Sequence, residues 1–370
     1  MTTLSQGHSV AEDGPVRFAM VGGGWRAGFF LRVAEQLPAR FQVTGLLVRD
    51  AERRERLQQR WGVRAVGTVD ELLTGTDPDF AVVSVTRASA PTVIAEVTSY
   101  GLPVLTETPP GADVDALVAL HALERAGARI QVAEQYHLQP LLSAQLQLAR
   151  SGALGRVSFA HASVAHDYHG ISLLRRALGI GFEDAVIRGR EFRSALVAGP
   201  DRNGDPVAER SVEAVQTIAE IDFGDRLGVY DFSTEQYFSW IRTRELLIRG
   251  DRGEVRGPDV RYLQDVQTPV QTEITRMSAG VDGNHEGMFL RGLLLGERWL
   301  YRNPYLPARL NDDELAVAAC LSGMHSYARG GPGFYSLAEA SQDHYLQLMV
   351  RRAVSSGETI TTSPQPWARR

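Results

Sequence analysis

Two hydrophobic periods divide the chain. In the first third, short apolar runs alternate with segments whose apolar residues recur at helical spacing. VRFAMV (16–21), QVTGLLV (42–48), DFAVVSVT (79–86), LPVLTE (102–107) and ARIQVAEQY (128–136) read as strands. The stretches FFLRVAEQLPARF, AERRERLQQRWGV, APTVIAEVTSYG and ADVDALVALHALERAG between them read as helices, with a short strand near 64–66 and a helix start at TVDELL. Strands alternating with helices of about 10 to 15 residues predict a parallel sheet covered on both faces. From about Leu138 the pattern changes. One helix, LLSAQLQLARSGALG, precedes the long strands RVSFAHASVAH, AVIRGREFRSALVAG, SVEAVQTIAEIDF, RLGVYDFSTEQY and RELLIRGDRGEV. Strands joined by turns as short as FGD predict a largely antiparallel sheet, which has one face open for a substrate or a second subunit. Two helices, DDELAVAACLSGMHSYA and SLAEASQDHYLQLMVRRAVSSG, lead into a polar tail. PDRNGDPVAER, residues 200–210, reads as an exposed loop.

The first strand runs straight into clustered glycines and then a helix, VRFAMVGGGWRAGF. Gly22, Gly24 and Ala27 fit GxGxxG/A: the first glycine permits the turn, the second lets backbone approach a pyrophosphate, and Ala27 lets helix and strand pack closely. The pyrophosphate would lie on the helix N-terminus, with Trp25 and Arg26 inside the loop. Thr86, Arg87, Glu107 and Thr108 stand at the carboxyl ends of later strands, where a dinucleotide lies in such a sheet. Beyond the second strand come Arg49 and Asp50, where the adenosine ribose is read. Arg49 suits a 2′-phosphate and favours NADP(H), while Asp50 keeps NAD(H) open. The fold class expected is α/β: a tail over 1–14, taken as flexible, a Rossmann dinucleotide-binding domain over 15–137, and a C-terminal α/β domain over 138–370 built on a largely antiparallel open sheet.

Composition narrows the chemistry further. With 370 residues, 44% of them apolar, the chain has material for two domains. A net charge of −5 without a dense basic run argues against a nucleic-acid partner. No apolar run is long enough for a membrane span, and the first residues lack a signal-peptide core, so a cytoplasmic location is expected. The single Cys320 builds neither a disulfide nor a cysteine-rich metal site. All 39 basic residues are arginine. Schiff-base chemistry, a phosphate-loop lysine and a lysine general acid are thereby excluded.

In order and spacing, AMVGGGWRAG, RDAERRERLQQRWGV, DFAVVSVT, GLPVLTETP, SGALGRV and YHGISLLRRALG resemble the Gfo/Idh/MocA oxidoreductases over nearly the whole chain. The resemblance implies a Rossmann domain and an open-sheet α/β domain meeting at a cleft where NAD(P) encounters a sugar, cyclitol or related small polar molecule. It also implies a homodimer or homotetramer formed through the C-terminal sheets. Two departures stand out. The family's EKP motif falls on Glu107, Thr108 and Pro109, so its lysine, thought to assist proton transfer, is a threonine too weak as acid or base to replace it. The family's DxxxH pattern matches at His169 only, with Ala165 four residues earlier. Thiazolinyl imine reductases are similar to this family and also lack that lysine.

Hydride transfer needs one group to exchange the proton of the alcohol, carbonyl or imine. HDYH, residues 166–169, supplies the best candidates: His169 as acid or base, since imidazole titrates near neutrality, with Asp167 orienting it or another histidine and His166 beside it. Tyr136 and His137, after the strand ARIQVAEQY, come next. A metal reading of His161, Asp167 and His169 needs one regular strand through all three, and the expectation is no metal. Asp282, Asn284 and His285 would suit recognition of hydroxyls. The expected activity is hydride transfer between NAD(P) and a sugar-like, cyclitol or other small hydroxyl or carbonyl substrate. The alternatives are an imine reductase of the same fold and a cofactor-binding scaffold or sensor without catalysis.

Overall fold

The computed structural model describes residues 14–282, 284 and 286–368. Most of the expected 1–14 tail, and His285 among the hydroxyl-recognition candidates, lie outside them. Chain packing divides the molecule into two units. The first takes residues 1–140, 276–292 and 301–340; the second takes 141–275, 293–300 and 341–370. The sequence reading ends the first domain at 137 and assigns everything later to the second.

Unit 1 is built on a parallel sheet of β1 (Val16–Val21), β2 (Phe41–Leu47), β3 (Ala65–Val66), β4 (Phe80–Val83), β5 (Val104–Thr106) and β6 (Ile130–Val132). Helices α1 (Ala27–Gln36), α2 (Ala51–Trp61), α3 (Val69–Leu73), α4 (Ala90–Ser99) and α5 (Val114–Arg125) connect them. The strand order is β3-β2-β1-β4-β5-β6, a doubly wound sheet whose order reverses between β1 and β4. Local signals fix several boundaries. Asp50 caps α2 by accepting from the Arg53 N–H, and Gly62, at φ +64°, ends it. Thr68 and Glu71 form a capping box on α3.

Unit 2 begins with α6 (Pro140–Arg150), β7 (Val157–Ser163) and α7 (Asp167–Leu178). The strands β8 (Val186–Val197), β9 (Ser211–Asp222), β10 (Leu227–Ser233), β11 (Glu245–Gly250), β12 (Gly253–Arg256), β13 (Asp259–Asp265), β14 (Thr268–Ala279), β15 (Phe289–Leu295) and β16 (Arg298–Arg302) follow. After them come α8 (Asp312–Ala328), α9 (Leu337–Ser356) and β17 (Ile360–Thr361). The second sheet runs β16-β15-β14-β13-β12-β11-β7-β10-β9-β8-β17. It is mostly antiparallel, with β7 and β10 parallel. RELLIRGDRGEV, expected as one strand, is a hairpin of two. Asp282 and Asn284 lie in the exposed turn joining β14 to β15.

The return of 301–340 to unit 1 has a packing cause. Helix α8 is capped by Asn311 with Glu314 and buries Leu315, Val317, Leu321 and Met324. It lies against α1, β1 and β4. Tyr335, Leu337 and Ala340 join the core formed by Ala19, Val83, Ile94 and Val132. A helix apolar on this many sides needs a covered position, and the pattern of apolar residues does not say which sheet supplies it.

In the second sheet, Gly228 meets Leu174 and Leu178 of α7, and Gly170 of α7 meets the Tyr230 ring. Side chains alternate across a strand, so Val229 and Asp231 belong to the opposite face, with Ile218 and Glu220 on β9 and Phe159 and His161 on β7. Val229, Asp231, Ile218, Phe159 and His161 on that face are half-buried.

Candidate functional site

The glycine loop of unit 1 has the shape a dinucleotide needs. Gly22 sits at φ +105°, and a Cβ there would stand 2.1 Å from the Ser84 carbonyl oxygen, so β1 and β4 approach too closely for any side chain. A Cβ on Gly24 would meet nothing within 4 Å, which leaves that backbone open to a ligand. Ala27 is fully buried where α1 begins. Helix α1 has no side-chain cap and no acidic residue in its first turn, so no carboxylate on that turn competes for its N-terminal N–H groups and dipole.

Arg26 crosses from this loop to the end of β5, where its Nε donates to Glu107 Oε1 at 3.0 Å. The pair is largely buried. Burial opposes the Arg26 charge, but the Glu107 carboxylate, with Asp313 beyond it, outweighs that cost and raises the guanidinium above its ordinary value. Its Nη2 is buried without a hydrogen-bond partner among the described residues. Trp25 is 53% exposed and packs edge-on against Phe29 at 4.8 Å. The Thr86 hydroxyl donates to Ser89 at the start of α4, and Arg87 is exposed beside it. Thr108 follows Glu107 into a cis peptide with Pro109, and its N–H donates to Glu107 Oε2.

At the end of β2, Arg49 pairs with Glu96 at 3.5 Å, both exposed. Arg53 donates to the Gly23 carbonyl, and Arg54 to the carbonyls of Val48 and Arg49. Asp50 spends one carboxylate oxygen on the α2 cap. Tyr136 and His137 are buried in unit 1. The Tyr136 N–H donates to Glu134, and the His137 ring stacks on Tyr335 at 5.2 Å.

Unit 2 holds a pocket of about 630 Å³ lined by His166, Asp167, Tyr230, Phe232, Tyr237, Phe238 and the loop Asp201, Arg202, Asn203, with Val215, Thr217 and Thr234 completing it. Of the expected acid and base residues, His166 and Asp167 line it. His169 does not: it is 4% exposed, with ring centroids 5.0 Å from His166 and 4.4 Å from Tyr168. Asp167, expected to orient a histidine, is engaged by α9. Asp167 Oδ1 accepts from Gln347 Nε2 at 2.8 Å and Oδ2 from Arg351 at 2.5 Å, so α9 holds this carboxylate. Asp167 also carries φ +51°, a left-handed conformation rare for a residue with a side chain and a frequent mark of functional sites. Its N–H donates to the Tyr230 phenol at 2.8 Å. Burial pushes that phenol well above its ordinary value, so it stays protonated near neutral pH.

The single-strand arrangement behind a metal reading does not occur. β7 ends at Ser163, while Asp167 and His169 belong to α7. His161 instead lies 3.5 Å from Asp231. No group of three or more metal-ligating side chains occurs among the described residues, and no helix among them is long and apolar enough to cross a membrane.

Residues 16–136, the stretch carrying the glycine loop, match the family model GFO_IDH_MocA, described as an oxidoreductase family with an NAD-binding Rossmann fold. This stretch is thus similar to the NAD-binding Rossmann domain of the Gfo/Idh/MocA oxidoreductases. No curated protein sequence matches it. Among solved structures, a levoglucosan dehydrogenase in complex with NADH superposes with a TM-score of 0.69 at 12% identity, covering 95% of this chain and 100% of that one. The WlbA dehydrogenase from Bordetella pertussis, in complex with NADH and UDP-GlcNAcA, gives 0.62 at 16% identity over 94% and 99%. An oxidoreductase from Agrobacterium radiobacter in complex with NAD+, L-tartaric acid and magnesium gives 0.66 at 14% over 93% and 98%. At these identities the likeness is one of fold.

Proposed function

We propose that this protein transfers a hydride between a nicotinamide dinucleotide held by unit 1 and a small polyhydroxylated alcohol or carbonyl compound held in the pocket of unit 2. The observation that carries the first half is the uncapped α1 terminus behind Gly22 and Gly24, beside a buried arginine with an unused N–H. The nicotinamide supplies or accepts the hydride. Gly24 admits the pyrophosphate, Ala27 sets the helix against the strand, and Arg26 offers its Nη2 hydrogen to a cofactor oxygen. For the second half, Tyr230, Phe232, Tyr237 and Phe238 give the pocket an aromatic wall suited to the C–H face of a sugar-like ring, while Asp201 and Asn203 suit its hydroxyls.

The proton is exchanged by His166, the histidine that lines the pocket, with His169 packed against it. Asp167, neutralised by Arg351, orders the start of α7. With threonine at 108, no lysine takes part. The NADP(H) preference rests on Arg49 and Arg53 around the end of β2 and on Asp50 being engaged as a helix cap. An exposed pair such as Arg49 with Glu96 is worth at most about 1 kcal/mol, so a 2′-phosphate would displace it. The related structures named above hold NAD+ or NADH, and the preference is for experiment to decide. We also propose that two copies associate through the face of the second sheet that carries Val229.

Titrating the purified protein with NADPH, NADP⁺, NADH and NAD⁺ while following tryptophan fluorescence tests the cofactor reading, since Trp25 lies in the loop. Saturable binding, weaker in Arg49→Ala for the phosphorylated forms only, is expected. Absence of binding overturns the oxidoreductase reading and leaves the scaffold. A screen of polyols, keto-sugars and cyclic imines then identifies the substrate class. Turnover of cyclic imines alone would replace the sugar-like reading with imine reduction. His166→Ala should lower kcat/KM by about 10²–10⁴-fold with nucleotide affinity unchanged. Loss of turnover in His169→Ala but not in His166→Ala would transfer the role to His169.

A further inference from the structure

In the pocket of unit 2, two nitrogens of one residue converge on a single phenol. The His166 backbone N–H donates to the Tyr237 hydroxyl at 2.9 Å, and the Nδ1 of the same imidazole is hydrogen-bonded to that hydroxyl. The phenol is firmly placed. Tyr237 ends a short 3₁₀ turn, Thr234–Tyr237, that Ser233 and Gln236 cap reciprocally. Gln236 Nε2 donates to Ser163 Oγ and to the Thr243 carbonyl, which ties the turn to β7 and to the approach of β11. The Tyr237 ring packs edge-on against Phe232 at 5.0 Å, and the Arg244 guanidinium lies 6.0 Å from its centre. Asp167, the carboxylate nearest in sequence, is held by Gln347 and Arg351, while the ring nitrogen Nδ1 bonds to Tyr237.

A phenol oxygen has two acceptor sites, and here one residue fills both when Nδ1 carries its hydrogen. Backbone and ring of His166 are then fixed by the same atom, and the neutral imidazole is held as the Nδ1–H tautomer. Its Nε2 lone pair becomes the basic position. In the oxidation direction, Nε2 would take the proton of the substrate hydroxyl while the carbon bearing it gives up its hydride, leaving a carbonyl and an imidazolium, with the bound nicotinamide as the group that would accept the hydride. In reduction the imidazolium returns that proton from Nε2 to the oxygen. The Nδ1–H bond to Tyr237 is unbroken in both states. This is the arrangement in which a second group selects which ring nitrogen reacts.

We propose that Tyr237 is the positioning residue of the proton-transfer step, holding His166 as its Nδ1–H tautomer so that Nε2 exchanges the proton. The proposal rests on the reading of His166 as acid and base, and its test separates the two. Histidine-selective ¹⁵N labelling with long-range ¹H–¹⁵N correlation reports the tautomer without a substrate, and His166→Gln assigns the resonance by its disappearance. The wild-type signal should be that of the Nδ1–H tautomer at a pH where the ring is neutral. In Tyr237→Phe it should revert towards the Nε2–H form favoured by free imidazole. A second readout is kcat/KM on the substrate found by screening: about tenfold lower in Tyr237→Phe, the scale of one hydrogen bond, with the pH profile displaced and nucleotide affinity unchanged. An Nε2–H tautomer in the wild type, or one unaltered by Tyr237→Phe, overturns the proposal. A tautomer that responds as expected while His166→Gln turns over at the wild-type rate overturns the catalytic reading instead, leaving the contact as structure.

Discussion

Arg26 and Glu107 show how far single residues carry the nucleotide half. A buried guanidinium with one N–H matched by Glu107 and another unmatched is costly unless a ligand oxygen completes it. Arg26→Gln should therefore weaken nucleotide binding by about 1.5–3 kcal/mol, the scale of a hydrogen bond to a charged group, measured by the fluorescence titration. Glu107→Gln should lower both affinity and the denaturant midpoint, because it leaves a buried cation without its counter-charge. Gly22→Ala is a backbone test. Its Cβ would collide with the Ser84 carbonyl and the left-handed conformation would be strained, so it should destabilise unit 1 by more than about 1 kcal/mol. Cys320 gives a control on the core of that unit. Burial, aided by the charges of Glu107 and Glu134, pushes its thiol far above the ordinary range. The native protein should not react with a thiol reagent at mildly alkaline pH, and one thiol should appear on unfolding.

Helix starts separate capped ends from open ones. α2, α3, α5 and α8 begin at Asp50, Thr68, Asp113 and Asn311, each accepting a backbone N–H, and these boundaries are legible in sequence because the residue type is the mechanism. α1, α4 and α7 have no side-chain cap of this kind. α7 is instead held from outside, where the phenols of Tyr237 and Tyr230 accept the first two N–H groups. No residue local to the start of α7 announces that cap in the sequence. The same gap hides the aromatic wall: in β10 the alternation of Tyr230 and Phe232 reads as ordinary core. The glycine loop, by contrast, was legible, since Gly22 carries its own constraint. On the other face of this sheet, burial works to raise the Asp231 carboxyl, but hydrogen bonds from His161 and Gln216 outweigh it and leave it below its ordinary value. A depressed carboxylate stabilises the fold above its unfolded value of about 4 and loses that contribution as pH falls through the folded one. Acid unfolding should therefore have a component in that range which Asp231→Asn removes, seen as a flatter acid limb in circular dichroism.

At the scale of the molecule, the sequence revealed both sheets, but neither β13 to β17 of the second nor the return of 276–292 and 301–340 to unit 1. Local periodicity marks α8 as apolar without naming the partner, and only the packing against α1, β1 and β4 assigns it. One face of the second sheet packs α7 through Gly228 and Tyr230, and Gly189 on β8 meets Val354 of α9. The other carries Ile218 and Val229, both half-buried, on β9 and β10, with His161 and Phe159 on β7 among them. Charged positions flank this row: Arg188 opposite Glu220, Arg190 opposite Ile218, and Arg249 paired with Glu254. An apolar centre with a charged rim is the anatomy of an interface. A second copy turned by a twofold axis would lay the same row against itself, since an isologous contact needs a self-complementary patch. Light scattering on the purified protein should therefore give at least a dimeric mass. Val229→Arg, a cation placed at the centre of the row, should shift it to monomer at micromolar concentration. Glu254→Gln at the rim should have little effect, as a rim charge contributes little to affinity. A wild-type monomer, or a Val229→Arg protein of unchanged mass, would place the contact elsewhere or remove it. Nucleotide binding in unit 1 should survive in the monomeric variant, because the residues proposed to hold the dinucleotide lie wholly within that unit.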